Sequence, residues 1–157
     1  MTVEIFDYDG SKVVSANSTT GKIIAYDKHH DLAAVLLNNP RHMPYVASIY
    51  PREEIDNLKL FDEVWVSGCS LLHDPFSSQG TLTYLREMIA QKSYLMSNAP
   101  SIFGNSGGAV YRWSGDNKQY EYIGIPSRIS IQPMGFSADA ITHMGYFILL
   151  NYTHIKL

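Results

Sequence analysis

The sequence lacks the features that define several large classes of protein. Cys69 is the only cysteine, so no disulfide can form within the chain, and disulfide-stapled secreted scaffolds are excluded. No apolar run approaches the roughly 20 residues that span a bilayer. No group of His, Cys and carboxylate residues has the spacing of metal ligands, so we expect neither a metal nor another cofactor.

Positive charge is also scarce. The chain has 12 Lys and Arg against 15 Asp and Glu, a net charge of -3. Phosphate binding needs clustered basic residues, so nucleic acid is not expected as a partner. The opening segment MTVEIFDYDG carries acids where a signal peptide has a basic and then an apolar segment. No secretory signal is therefore visible, and the compartment stays unassigned.

The 157 residues, 45% of them hydrophobic and 17% charged, are typical of one soluble globular domain. Short β-branched or aromatic-rich runs separated by turn residues predict about ten strands. These are residues 2–6, 12–16, 21–26, 32–37, 63–68, 80–85, 93–97, 108–113, 120–126 and 145–150. Evenly spaced strands predict an all-β barrel or sandwich. Residues 51–60, which start with proline, and the tail 150–157 predict short helical turns.

A glycine-rich stretch, Gly104-Asn105-Ser106-Gly107-Gly108, carries the main chemical signal. Glycines beside a serine let the backbone adopt conformations in which successive N–H groups converge next to the hydroxyl. Such convergence forms an oxyanion hole. The alternative is a tight turn whose serine only caps a backbone group, which is the usual reading of an isolated G-x-S-x-G.

The five-residue stretch resembles the nucleophile loop of the trypsin-like serine proteases. HHDLAAVLL, residues 29–37, is similar to the strand that opens with the catalytic aspartate of that family, and YIGIPSR, residues 122–128, is similar to a strand that lines its substrate cleft. The resemblance is greatest to HtrA-type, single-domain members and covers essentially the whole chain. It implies an all-β fold of two β-barrels and hydrolysis of polypeptides by a serine nucleophile.

The resemblance also implies roles for individual residues. Ser106 would be the nucleophile, Asp31 would orient the general base, and the N–H groups of Gly104 and Ser106 would bind the oxyanion. Taken alone, Asp31 is better interpreted as an ordinary carboxylate at a strand edge, and only its occurrence together with Ser106 favours the catalytic role. Further substrate-binding residues implied by the family are Pro100, Ser101, Phe103 and Ser127.

The general base of the family, a histidine upstream of the aspartate, has no counterpart here. His29 and His30 adjoin Asp31 and are interpreted as solvated turn residues. The remaining histidines lie away from the expected cleft, in the crossing segment, a loop, the final strand and the tail: His42, His73, His143 and His154. Thr2–Phe6 matches the strand that follows the histidine in the family, so the histidine is expected just before Met1.

Three explanations of this difference stay open: a late start of the sequence, which we favour, a degenerate remnant, or a second chain that supplies the missing part. The expected domain is then one protease domain over residues 1–157. Residues 1–48 form a partial first barrel and the start of a crossing segment, and residues 49–157 form the rest of that segment and the second barrel. An incomplete first barrel leaves an open strand edge, through which the chain could self-associate.

The base of the specificity pocket falls on Pro100 by the resemblance, and no carboxylate lies there. Burying a substrate cation without a partner is costly, so small or apolar side chains are expected rather than Lys or Arg. Pro100 shaping the loop is the alternative interpretation. Three functions follow: a serine endopeptidase that is inactive as this chain alone, a non-catalytic binding module with the same cleft, or a structural β protein.

Overall fold

Strands make up most of the chain. The structure, a computed structural model, describes residues 1–39, 41–43 and 45–150. The strands are β1 Thr2–Asp9, β2 Lys12–Asp27, β3 Leu32–Leu37, β4 Ser48–Ile49, β5 Glu63–Gly68, β6 Phe76–Ile89, β7 Lys92–Ser97, β8 Ala109–Ser114, β9 Gln119–Met134 and β10 Ser137–Leu149. The expected all-β class is confirmed.

Several details differ from the sequence prediction. The runs 12–16 and 21–26 belong to one strand, β2, because the polar residues between them continue the pairing with β1. The predicted helix at 51–60 is a short 3-10 helix, Arg52–Asn57, preceded by Pro51. The predicted helical tail falls mostly on residues 151–157, which lie outside the described residues.

The chain divides into two compact units, one ending at Val46 and one beginning at Ala47. The first unit is an antiparallel sheet in the order β1-β2-β3. Only Gly21 and Leu32 are buried among its described residues, whereas Ile23, Tyr26 and Leu36 are each more than half exposed. This sheet therefore has little fully buried apolar surface of its own.

The second unit is a closed barrel. Its strands follow the order β10-β7-β6-β5-β8-β9, and the pairing of β9 with β10 completes the ring. The short β4 pairs in parallel with β9 outside the ring. The core consists of buried side chains from this unit: Tyr50, Leu58, Val64, Val66, Leu82, Leu95, Ala99, Val110, Ile123, Phe147 and Leu149. No helix in the described part of the chain is long and apolar enough to cross a membrane.

The carboxylate of Asp7, on β1, accepts several hydrogen bonds on the first sheet. Asp7 accepts from Arg41 Nη2 at 2.6 Å, from Ser15 Oγ at 2.7 Å and from Asn17 Nδ2 at 2.9 Å. The hydrogen bond from Arg41 is the main cause that lowers the pKa of Asp7. The pair connects the segment after β3 to the β1–β2 hairpin.

We expect this connection to weaken in acid. Because the pKa of Asp7 is lower in the folded chain than its ordinary value of 3.8, its stabilising effect is present above pH 3.8 and is lost as the pH falls through the folded pKa. Carboxyl NMR titration should show a midpoint for Asp7 below 3.8, which Arg41→Gln moves upward. The same midpoint in both proteins would contradict the pairing; Arg52→Gln is the control.

The two units should also differ in local stability. The edges of the first sheet leave backbone groups without strand partners, and its apolar side chains are poorly covered, so opening should cost less there than in the barrel. Hydrogen-exchange mass spectrometry should show faster exchange for residues 2–37 than for residues 63–126, and concentration-dependent protection of the first unit if its edge self-associates. Equal protection in a monomer would show that the first unit is as stable as the barrel.

Candidate active site

Two consecutive turns shape the glycine-rich loop between β7 and β8. In the first turn Asn105 N–H donates to Ile102 O at 3.2 Å, and in the second Gly108 N–H donates to Asn105 O at 3.0 Å. The third residues of the turns, Gly104 and Gly107, have φ of 102° and 80°. Turns of type II require a positive φ at this position, which explains both glycines.

Gly108 is fixed by a close approach of two backbones. A Cβ at this position would overlap the carbonyl oxygen of Ser67 at the end of β5 and would lie 2.9 Å from Asn105 O. On the other side, the Tyr122 hydroxyl donates to the Gly108 carbonyl at 3.1 Å. Burial raises the pKa of Tyr122 to about 12, so the phenol remains a donor at neutral pH. The end of the loop is thereby held against the barrel.

The loop amides divide into two sets. The amides of Asn105, Gly107 and Gly108 donate to protein carbonyls. The acceptor of the Gly107 amide is Pro126 O, at 3.0 Å. The amides of Gly104 and Ser106 have no acceptor among the described residues. The Ser106 amide belongs to the residue that carries the hydroxyl, and the Gly104 amide lies two residues before it in the loop. An oxyanion hole requires two N–H donors that are free of protein acceptors.

Ser106 itself is exposed, as an attacking hydroxyl must be. Its Oγ donates to the carbonyl oxygen of Ser127 at 3.4 Å. A backbone carbonyl cannot accept the proton permanently, so this contact does not activate the serine. In the part of the chain that the structure describes, the Ser106 hydroxyl has no hydrogen bond to a histidine.

A cavity of about 350 Å³ opens beside Ser106 within the second unit. It includes three of the substrate-binding residues inferred from the sequence, Ser101, Phe103 and Ser127. Its other lining residues come from the glycine-rich loop, from β9 and β10, and singly from β5, β7 and β8. Its volume is in the range of small-ligand sites. No histidine is among its described lining residues.

Pro100, the fourth inferred residue, is not among the residues lining the cavity. It is exposed, and its carbonyl accepts from Ser78 Oγ at 2.7 Å. Ser101 lies deeper, at 5% exposure, with its N–H donating to Thr142 O at 2.7 Å. The role of Pro100 in specificity stays a prediction.

Asp31 belongs to the first unit, in the turn between β2 and β3. It is exposed and has a φ of 57°, unusual for a residue with a side chain. Its role as the carboxylate that orients the general base for Ser106 stays a prediction.

The same turn contains an acid–imidazole pair that the sequence analysis missed. Asp27 Oδ2 lies 2.6 Å from His30 Nδ1, and both side chains are about one-fifth exposed. The hydrogen bond with His30 is the main cause that lowers the pKa of Asp27. The expectation of a solvated turn residue is therefore wrong for His30, although His29 is exposed. No group of three or more His, Cys, Asp or Glu suited to a metal occurs among the described residues.

The sequence analysis also missed Arg128, which lines the cavity next to Ser127. The family resemblance assigned only Ser127 of this strand to the cleft and carried no role for Arg128. A signal was present, because Arg128 is the only charged residue between Glu121 and Asp139.

Comparisons with known proteins bear on the fold. No family model matches the sequence, and neither does any curated protein. Among solved structures, the HtrA-type protease AlgW with decapeptide aligns with a TM-score of 0.70 at 18% identity, covering 88% of this chain and 39% of that one. AlgW with tripeptide gives 0.68 at 18%, covering 95% and 48%. The MamO protease domain from Magnetospirillum magneticum, in its apo form, gives 0.65 at 14%, covering 94% and 70%.

This chain thus spans less than half of those AlgW chains. At such low identities the likeness concerns the fold. The chain has the trypsin-like fold of HtrA-type proteases, as the sequence analysis expected.

The close approach at Gly108 can be tested by mutation. Gly108→Ala forces a methyl group against the Ser67 carbonyl, and we expect a loss of about 1–3 kcal/mol in the free energy of unfolding, measured by urea denaturation. Gly115→Ala is the matched control, because nothing lies within 4 Å of a Cβ there. Equal stabilities of the two variants would contradict the close approach.

Proposed function

We propose that this chain carries the nucleophile and the oxyanion hole of a serine endopeptidase, with a polypeptide as substrate. The observation that carries the proposal is the pair of unpaired amides, at Gly104 and Ser106, beside an exposed serine hydroxyl at the mouth of a cavity. The likeness in fold to AlgW, whose structures hold a decapeptide and a tripeptide, supports a peptide as the ligand.

In the proposed reaction, Ser106 Oγ attacks the carbonyl carbon of the scissile peptide bond, and its proton passes to a general base. The oxygen of the tetrahedral intermediate becomes negative and accepts hydrogen bonds from the Gly104 and Ser106 amides. The peptide bond then breaks, the leaving amine takes the proton, and water later releases the acyl group from Ser106. Asp31 is the proposed carboxylate that orients the base.

The described residues supply no base in hydrogen-bond contact with Ser106. We therefore expect the 157-residue chain alone to have negligible peptidase activity. A second function, non-catalytic peptide binding through the same cleft, is favoured by the hydrogen bond of the Ser106 hydroxyl to the Ser127 carbonyl, which leaves the serine unactivated.

The two functions can be separated by supplying a base in solution. A positioned general base contributes about 10²–10⁴-fold in enzymes, and free imidazole should recover part of this effect. We expect slow labelling of Ser106 by a peptidyl fluorophosphonate, and labelling about 10-fold faster in imidazole after the uncatalysed rate is subtracted. Intact-mass spectrometry measures the extent of labelling.

Ser106→Ala controls for labelling elsewhere, and Ser127→Ala controls for loss of a neighbouring hydroxyl. Labelling that stays slow in imidazole, in a chain that binds unlabelled peptide, would reject the endopeptidase and support the binding module. Rapid labelling without imidazole would show that the chain already contains a base. A chain that neither labels nor binds peptides would refute both functions.

A further inference from the structure

The cavity beside Ser106 contains a single charge. Arg128, on β9, is the only charged residue among its described lining residues, and the others are apolar or neutral polar. The apolar part of the wall includes Ile129, Ile131 and Phe147. Arg128 is exposed, so water screens its charge, but as the one charge among these lining residues it can still favour anionic ligands by a modest factor.

Arg128 is held in place rather than free to rotate. Its Nε donates to the Tyr94 hydroxyl at 3.0 Å, and its guanidinium carbon lies 5.5 Å from the centroid of the same ring. Tyr94 is only 1% exposed, so its position is fixed by the barrel. Ring and hydroxyl together restrict the guanidinium and reduce the entropy that it would lose on binding a ligand.

The rest of the guanidinium has no partner among the residues that the structure describes. Neither Nη atom hydrogen-bonds or forms an ion pair with any described residue. Guanidinium has five N–H donors, of which the contact with Tyr94 uses one. The two terminal nitrogens form the planar fork that matches both oxygens of a carboxylate.

We propose that this cavity accepts an acidic side chain, Asp or Glu, of the bound polypeptide, with Arg128 as the residue that determines this specificity. The inference rests on the proposed function of the cleft as a peptide-binding site. It replaces the expectation of small or apolar side chains, which assumed that Pro100 forms the base of the pocket. It keeps the exclusion of Lys and Arg, since a second cation beside Arg128 would be repelled.

The chemistry of the remaining wall is compatible with a carboxylate. No Asp or Glu is among the described lining residues, so Arg128 has no internal competitor there. Ser97, a residue 1% exposed that also lines the cavity, carries a hydroxyl that could donate to a second oxygen. Arg128 itself is exposed, so solvent screens its charge and its effect on binding should be small.

Binding rather than turnover tests this proposal, because the chain alone is not expected to cleave. Four fluorescent decapeptides that differ only at one central residue, Glu, Gln, Leu or Lys, are titrated with the full 157-residue chain at pH 7, and the anisotropy gives each Kd. Glu and Gln have nearly the same shape, so their ratio isolates the charge. We expect the Glu peptide to bind about 5-fold more tightly than the Gln peptide, less so at high salt, and the Lys peptide to bind most weakly.

Two variants assign the effect to its residue. Arg128→Leu should abolish the Glu preference, and Arg128→Gln, which can still donate to Tyr94, should abolish it without disturbing the barrel. Arg86→Leu is the matched control, since Arg86 has an 83% exposed side chain and is not among the lining residues of the cavity. Circular dichroism checks that each variant is folded.

The failures are distinguishable. If all four peptides bind but Glu and Gln differ by less than about 2-fold, or if the preference survives in both Arg128 variants, the acidic specificity is wrong and the peptide cleft stands. A Leu peptide that binds most tightly overturns the specificity as well. If no peptide binds to the folded chain, the proposed function fails together with the inference.

Discussion

The approach of Gly108 to the carbonyl of Ser67 is the constraint on which the rest of the site depends. It places the end of the loop directly on the end of β5, where Ser67 pairs with Ala109 in the β5–β8 ladder. Gly68 makes the reciprocal contact, since a Cβ there would lie 3.1 Å from Asn105 Cα. With these two contacts fixed, the loop has room only for tight turns. The turns determine which loop amides donate to a protein carbonyl and which do not.

The sequence predicted the conformation of this loop better than that of its surroundings. The glycine pattern was sufficient because each glycine has a local cause, a positive φ or a backbone contact, that the residue type itself reveals. Ser101, Phe103 and Ser127 were also found through the family resemblance, and the structure brings them to one cavity. Pro100 lies outside that lining, because its position depends on the path of a loop rather than on a local pattern.

Long-range geometry was harder to predict. The family resemblance assigned Ser127 and not Arg128 to the cleft, because a motif match does not give the reach of a long side chain around a buried tyrosine. The pair of Asp27 and His30 was missed because the turn folds back on itself within three residues. Strand lengths were underestimated in β2, β6, β9 and β10, where polar stretches remain paired beyond the apolar run that defines a strand in the sequence.

The unpaired amides of Gly104 and Ser106 belong to the main chain, and this limits how the site can be dissected genetically. Every residue except proline carries the same N–H group, so a side-chain substitution at either position leaves the donor in place while it disturbs the turn around it. An alanine scan would therefore detect the loss of the Ser106 hydroxyl and of the Arg128 guanidinium, but it would not remove the N–H donors of Gly104 and Ser106. Only replacing an amide by an ester in the backbone would reveal them, because it removes the hydrogen without changing the residue.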